Sequence, residues 1–536
     1  MKYIKIALIL TIFSLIACTN NGKKEKITFR ASNLTEPSSL DPQLSTDLYG
    51  SNIIRNLFLG LAVKDSQTGK YKPGLAKSWN ISGNGTVYTF NLREDIVWSD
   101  GVAITAEEIK KSYLRILNKK TAALYANLVK STIKNAQEYF DETVPESELG
   151  IKAIDSKTLE ITLTSPKPYF PDMLTHSAYI PVPMHIVEQY GENWTNPENI
   201  VVSGAYKLKE RLINDKIVIE KNEKYYNAKN VEIDKVIFYP IEGNVAYNMY
   251  INGELDFLQG AEKSNLEEIK IRDDYYSGLK NGVAYIVFNT TIKPLDNSKV
   301  RQAISLAIDR ETLCKIVLKG SSEPTRNLTP KFDDYSYGKN LILFDPENAK
   351  KLLAEAGYPD GKGFPTLKYK VSGGDQKGAE FLQEQFKKIL NIKIEIENEE
   401  WTTFLGSRRT GNYQISSLGW LGDYFDPLTF LESLLTTENH FFGAYKYSNK
   451  EYDALITKSN LELDPIKRQD ILREAEAIIV EKDFPMAPLS IPKSHYLFRN
   501  DKWTGWAPNI AESYLYEDIK TQKENYKIKV SFKTEV

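Results

Sequence analysis

Apolar and polar residues alternate along "TVYTFNL", residues 86–92, so that Tyr88, Phe90 and Leu92 fall on one side. Residues two apart share a face of an extended chain, and the run predicts a half-buried strand. "NIKIEIEN", 391–398, repeats the pattern with Ile392, Ile394 and Ile396 set against charges. Helical spacing appears in "SKVRQAISLAID", 298–309, where Val300, Ala303, Ile304, Ala307 and Ile308 line one face. Helix starts are legible as well. Thr105 with Glu108 reads as a capping box, and Asp345-Pro346 and Asp464-Pro465 each pair an N-cap with a proline at the first helical position. Gly357 closes the helix begun at Asp345. In "GWLGDYFDPLTFLESLL", 419–435, Asp426 and Pro427 form the same start ahead of a buried face of Phe430, Leu431, Leu434 and Leu435. Asp423 has no such structural duty. Strands and helices alternate throughout, which predicts a mixed α/β chain in more than one lobe.

The length of 536 residues exceeds the ~100–200 residues usual for one domain, so two or three folding units are expected. A net charge of −2 argues against a nucleic-acid partner, because phosphate binding needs a concentrated positive field. The 32 tyrosines suit a groove lined with flat amphipathic side chains, and equally an ordinary large core. "SGNGTV", 82–87, is a turn before a strand, and no nucleophile elbow, phosphate loop, dinucleotide fingerprint or zinc-binding helix is present. His176, His185, His440 and His495 lack metal-ligand spacing. The reading is a non-enzyme without cofactor or metal.

The first residues, "MKYIKIALILTIFSLIACTN", set Lys2 and Lys5 before an apolar run, 6–17, that is too short to cross a membrane at ~20 residues. They predict a secretory signal. The ending Leu15-Ile16-Ala17-Cys18 resembles the lipobox of bacterial lipoproteins, which implies an acylated Cys18 followed by the polar tether "TNNGKKEK". Several acyl chains anchor stably where one is marginal. The mature chain then keeps Cys314 as its one cysteine able to pair internally, so no internal disulfide is expected.

Several stretches resemble one family, the extracytoplasmic peptide-binding proteins of ABC importers, and within it the oligopeptide-binding subgroup. They are "SLDP" (39–42), "SNIIRNLFLGL" (51–61), "WSDGVAITAEEIKKS" (98–112), "SGAYKL" (203–208), "VRQAISLAIDRE" (300–311), "EEWTTFL" (399–405) and the opening of the 419–435 stretch. They fall in order along nearly the whole mature chain. The resemblance implies an α/β fold like the periplasmic binding proteins, with two lobes that close on a ligand and an additional inserted domain. It divides the chain into a signal (1–17), a lipidated cysteine with tether (18–26), lobe I (27–58, 183–280 and 507–536), the extra domain (59–182) and lobe II (281–506).

The resemblance also implies the site. Asp423 would meet the peptide's α-amino group, and Gly419, Trp420 and Leu421 would run beside the peptide as strand-like main chain, glycine permitting close approach. Thr46, Asp47 and Leu48 would supply a second pairing segment from the opposite lobe. Trp401, Trp420, Tyr125 and Tyr285 occupy positions similar to aromatic walls, with Trp506 near another. Arg408 matches a basic position at the carboxylate end, whereas Ser417 stands where a second arginine is often found. Asp375 lies near a position that can carry histidine, Val287 where some relatives carry glutamate, and Leu421 where some carry a disulfide-bonded cysteine. The physical need is plain: an enclosed peptide loses water from its backbone groups and its ammonium, so the protein must supply main-chain partners and a carboxylate.

The function expected is a monomeric, exported, lipid-anchored receptor, on the periplasmic face of the inner membrane or the outer surface. It would capture short peptides and deliver them to the transmembrane subunits of an ABC permease. The alternatives are the same fold binding a nickel chelate, oligosaccharide or opine, and a surface adhesin or sensor. A peptidase is opposed by the lack of a legible nucleophile or metal site.

Overall fold

A computed structural model describes residues 26–522 apart from 261–265, 333–334, 339–340, 373–375 and 438–445. Its largest sheet has 12 strands in two halves that share one long strand, Met486–Phe498. In the first half, Thr28–Ser32 lies parallel to Lys235–Tyr239 and Phe257–Gln259, and Lys216–Lys221 and Tyr206–Leu212 continue antiparallel from Lys235–Tyr239. In the second, Leu367–Ser372 lies parallel to both Ile394–Glu399 and Ile415–Leu421, and Ile415–Leu421 pairs antiparallel with Gly282–Phe288.

Two successive strands, Tyr275–Leu279 and Gly282–Phe288, pair with opposite ends of Met486–Phe498. The halves are therefore joined by one antiparallel ribbon that passes through Lys280 and Asn281. A separate antiparallel sheet orders Ala76–Ser82, Val87–Leu92, Thr158–Thr162 and Ile151–Ala153.

The alternation read in residues 86–92 is realised, with Tyr88, Phe90 and Leu92 all buried in Val87–Leu92. Ile394–Glu399 begins two residues later than the isoleucine pattern, and its Ile396 is half-buried. The helix Ser298–Leu306 buries Val300, Ala303 and Ile304. Asp345 and Asp464 cap Pro346–Glu355 and Pro465–Ala477 with their carboxylates, and Gly357 takes φ +97° just past the first of these. Thr105 caps Ala106–Ile116 by accepting from the Glu108 N–H, while the Glu108 side chain pairs with Lys111.

One expectation needs correction. The helix after Asp426 is Leu428–Leu435, with Pro427 rather than Asp426 at the N-cap. The Asp426 carboxylate accepts from the Leu428 N–H at 3.0 Å and from both terminal nitrogens of Arg468 at 2.7 and 2.8 Å. A buried carboxylate with a guanidinium fork available satisfies both oxygens at once, and here the ion pair is added to the cap-like bond to Leu428.

Candidate ligand-binding site

The strand Ile415–Leu421 sets Gly419 opposite Ala284, Trp420 opposite Val283 and Leu421 opposite Gly282. On its second edge, pairing among the described strands ends at Ser416, so the main chain beyond has one strand neighbour. Beside this edge lies a cavity of about 550 Å3, lined among others by Gly419, Tyr285, Trp401, Phe404, Ser417 and Tyr369. Trp401 is 53% exposed and stacks on Phe404, ring centres 5.9 Å apart at 23°. A Cβ added to Gly419 would meet nothing nearer than the Val283 carbonyl at 3.7 Å. That face of the strand is open to an approaching chain.

After Leu421 the backbone turns sharply, and the turn is well anchored. The Gly422 N–H donates to the Asn281 carbonyl at 2.7 Å, and the Asn281 amide returns bonds to the carbonyls of Gly422 and Tyr424. Thr429 takes the Asp423 N–H on its hydroxyl at 3.0 Å and the Trp420 indole N–H on its carbonyl at 2.8 Å.

The Asp423 carboxylate is treated differently from its backbone. It is half-buried, and among the described residues no hydrogen bond or ion pair reaches it. Burial alone pushes its pKa up to about 6, because desolvation penalises the charged form when no cation is near. Tyr125 stands close enough to feel this charge. Its phenol is raised to about 12 by burial first and by Asp423 second. The Tyr125 ring meets His176 at 4.5 Å, and burial with the charges of Arg55 and Lys64 lowers His176 to about 4. Two segments almost 300 residues apart thus converge on one lone acid.

The other expected residues fall into two groups. Tyr285 lines the cavity, and its pKa of about 12 reflects burial opposed by the neighbouring Arg408. Arg408 is buried, is not among the residues that line the cavity, and has its guanidinium 5.3 Å from the Tyr413 ring. Trp506 also stands apart, in an aromatic cluster with Phe257, Tyr276, Tyr496, Phe498 and Tyr514 at 5.0–5.6 Å.

Asp47 is the N-cap of the helix Leu48–Leu57, accepting from Gly50 at 2.6 Å and from Ser38. Thr46 and Leu48 are exposed on either side of it. Val287 is buried. Asp375, His440 and Cys18 lie outside the described residues.

Sequence reasoning missed the residues that hold the 422–426 turn from across the molecule. Tyr169 stacks on Tyr424 with ring centres 4.8 Å apart at 6°, and Asp172 accepts the Phe425 N–H at 2.8 Å. No local pattern marks such contacts.

The residues 70–442 match the family model described as bacterial extracellular solute-binding proteins, family 5, middle. The chain belongs to this family. It is 33% identical over 488 residues to the periplasmic oligopeptide-binding protein OppA of Salmonella typhimurium, covering 87% of each chain. The crystal structure of a periplasmic oligopeptide-binding protein, OppAIV, from Borrelia burgdorferi superposes with a TM-score of 0.81 at 56% identity, covering 93% of this chain and all of that one. That of Haemophilus influenzae OppA in complex with RPPGFSPFR gives a TM-score of 0.76 at 29% identity, with the same coverage. The family 5 fold, two lobes of mixed α/β sheet, is the one observed.

Proposed function

We propose that this family 5 protein is a lipid-anchored receptor that captures short peptides between its lobes and delivers them to an ABC permease. One observation carries the reading. Asp423 is a half-buried carboxylate with no cation on it among the described residues, set at the end of a strand whose second edge is unpaired by described strands beyond Ser416. An extended peptide can add to such an edge through main-chain hydrogen bonds, its side chains entering adjacent space. Its α-ammonium then supplies the charge that Asp423 lacks. Gly419, Trp420 and Leu421 form the edge, Trp401 and Tyr285 the aromatic wall, and Tyr125 faces Asp423. Thr46 to Leu48 are the contacts from the opposite lobe in this reading and Trp506 stands near a further wall, while the buried Arg408 supports the wall. The relatives' names, oligopeptide-binding proteins, and the peptide in the Haemophilus complex support the same class of ligand.

The chain divides accordingly into lobe I (27–58, 183–280 and 507–536), an extra domain (59–182) and lobe II (281–506), after a signal and a tether from Cys18. The receptor acts as a monomer on the outer side of a membrane. Thermal melting of ligand-stripped protein tests the ligand class, since only a molecule that binds the native state raises the transition. A pool of short peptides should raise it, whereas nickel chelates, oligosaccharides and opines should not. A shift with one of those solutes alone would replace the peptide reading.

A further inference from the structure

The turn at 422–426 that carries Asp423 is held by two sets of contacts of different origin. Asn281, Thr429 and Arg468 belong to the same half of the chain as the turn, and they bind its ends. Tyr169, Asp172 and Lys64 come from residues 59–182, Lys64 from the strand Ala62–Lys64 and the other two from the start of the short helix Phe170–Met173. Asp172 is buried, with one carboxylate oxygen on Lys64 Nζ at 2.5 Å and the other on the Phe425 N–H at 2.8 Å. Lys64 also sits 3.9 Å from the centre of the Phe425 ring. Tyr169 lies flat on Tyr424, and its own ring is 5.6 Å from the Arg468 guanidinium.

The residues on the C-terminal side of Asp423 are therefore gripped from another unit. Asn281 also holds the Tyr424 carbonyl and Arg468 the Asp426 carboxylate from the turn's own half, and the clasp adds a grip on the Tyr424 ring and the Phe425 N–H. A stacked pair of aromatic rings is directional, and a charge-assisted bond to a backbone N–H fixes the local dihedrals. Both act only when the two units are together.

We propose that Asp172 and Tyr169 are positioning residues for ligand capture: by clasping Phe425 and Tyr424 from across the cleft they fix Asp423 toward the incoming ammonium as the lobes come together. Neither residue touches the ligand. The inference rests on the peptide-receptor reading and adds a coupling between closure and the amino-terminal contact. Such coupling is reciprocal, so ammonium binding at Asp423 equally favours the clasped state.

Binding of a pooled tetrapeptide library with free N-termini, and of the same pool N-acetylated, tests this in Asp172→Ala, Tyr169→Leu, Asp423→Asn and the double variant Asp172→Ala/Asp423→Asn. Asp172→Ala should weaken the free-amine pool about tenfold, the size set by one charge-assisted hydrogen bond, Tyr169→Leu should weaken it by roughly threefold to tenfold, the size of one aromatic pair, and both should leave the acetylated pool within about twofold of wild type. Asp172→Ala should add little once Asp423 is Asn, because it acts through that carboxylate. Asp172→Asn, which keeps a carbonyl oxygen for the Phe425 N–H, should fall between wild type and Asp172→Ala. Melting of the ligand-free variants separates a lost fold from a lost clasp, and Tyr169→Leu gives an independent route if Asp172→Ala does not fold.

Equal losses for both pools, full additivity with Asp423→Asn, or unchanged binding would each overturn the inference. If Asp423→Asn alone abolishes the free-amine preference while both clasp variants behave as wild type, the inference fails and the receptor reading stands. A wild type that binds neither pool overturns both.

Discussion

Asp423→Asn is the perturbation that separates a ligand-binding acid from a structural one. The two side chains have nearly the same shape, so the change removes a charge and little else. In the ligand-free protein the carboxyl is raised from 3.8 to about 6 by burial, and at ~1.4 kcal/mol for each tenfold in proton affinity the unpartnered charge costs about 3 kcal/mol at neutral pH. Below about pH 4 the group is protonated in folded and unfolded chains alike, so wild type and variant should be equally stable. Between about pH 4 and 6 the folded chain keeps a proton that the unfolded chain has lost, and wild-type stability falls as pH rises through that window. Above about pH 6 the loss is complete.

Asp423→Asn should therefore melt higher than wild type at pH 7.5 and match it at pH 4. Its affinity for peptides with free N-termini should fall by ~2–5 kcal/mol, the typical effect of truncating one partner of a buried charged pair, or roughly thirtyfold to several thousandfold. Wild-type affinity for the same peptides should weaken below about pH 6, where protons compete with the ammonium. Melting of ligand-stripped proteins at the two pH values and calorimetry at pH 7.5 read all three. A variant that is no more stable at pH 7.5, or that binds free-amine peptides as wild type does, would refute the reasoning.

Arg468→Met leaves the Asp426 carboxylate buried without its cation and should destabilise the fold by ~3–5 kcal/mol; a loss under ~1 kcal/mol in chemical denaturation would show that the pair is replaceable. His176 is lowered to about 4 by burial and by the charges of Arg55 and Lys64, so as pH falls from about 6.5 to 4 the unfolded chain takes up a proton first and stability drops. His176→Gln should flatten that part of the pH–stability curve, and an unchanged slope would assign it to other groups. Cys18→Ser should abolish labelling of the protein by a radioactive fatty acid in cells, and persistent labelling would place the anchor elsewhere.

The parts of this molecule that the sequence displayed are those set by local rules. Tyr88, Phe90 and Leu92 announce a strand because side chains alternate across it, and Asp345 and Asp464 announce helix starts because a short acceptor satisfies the first free N–H groups. Asp423 stood out for a related reason: a neighbouring acid already had a structural place, and the resemblance gave the remaining one a ligand. Asp426 shows the limit of local reading. Its cap-like position was visible, but its strongest partner, Arg468, lies 42 residues on.

The same holds for Tyr169 and Asp172, which reach the 422–426 turn from about 250 residues away, and for Lys64, from about 360. Pairings of that range are decided by how whole units pack. Asp47 shows a different limit: its side chain caps Leu48–Leu57, a helix for which the sequence reading made no provision.

Native mass spectrometry of the protein purified from the cells that export it measures the central claim without choosing a ligand in advance. Gentle release should yield short peptides with free N-termini, bound one to a chain. A protein that carries a non-peptide solute, or peptides blocked at the N-terminus, would contradict the account.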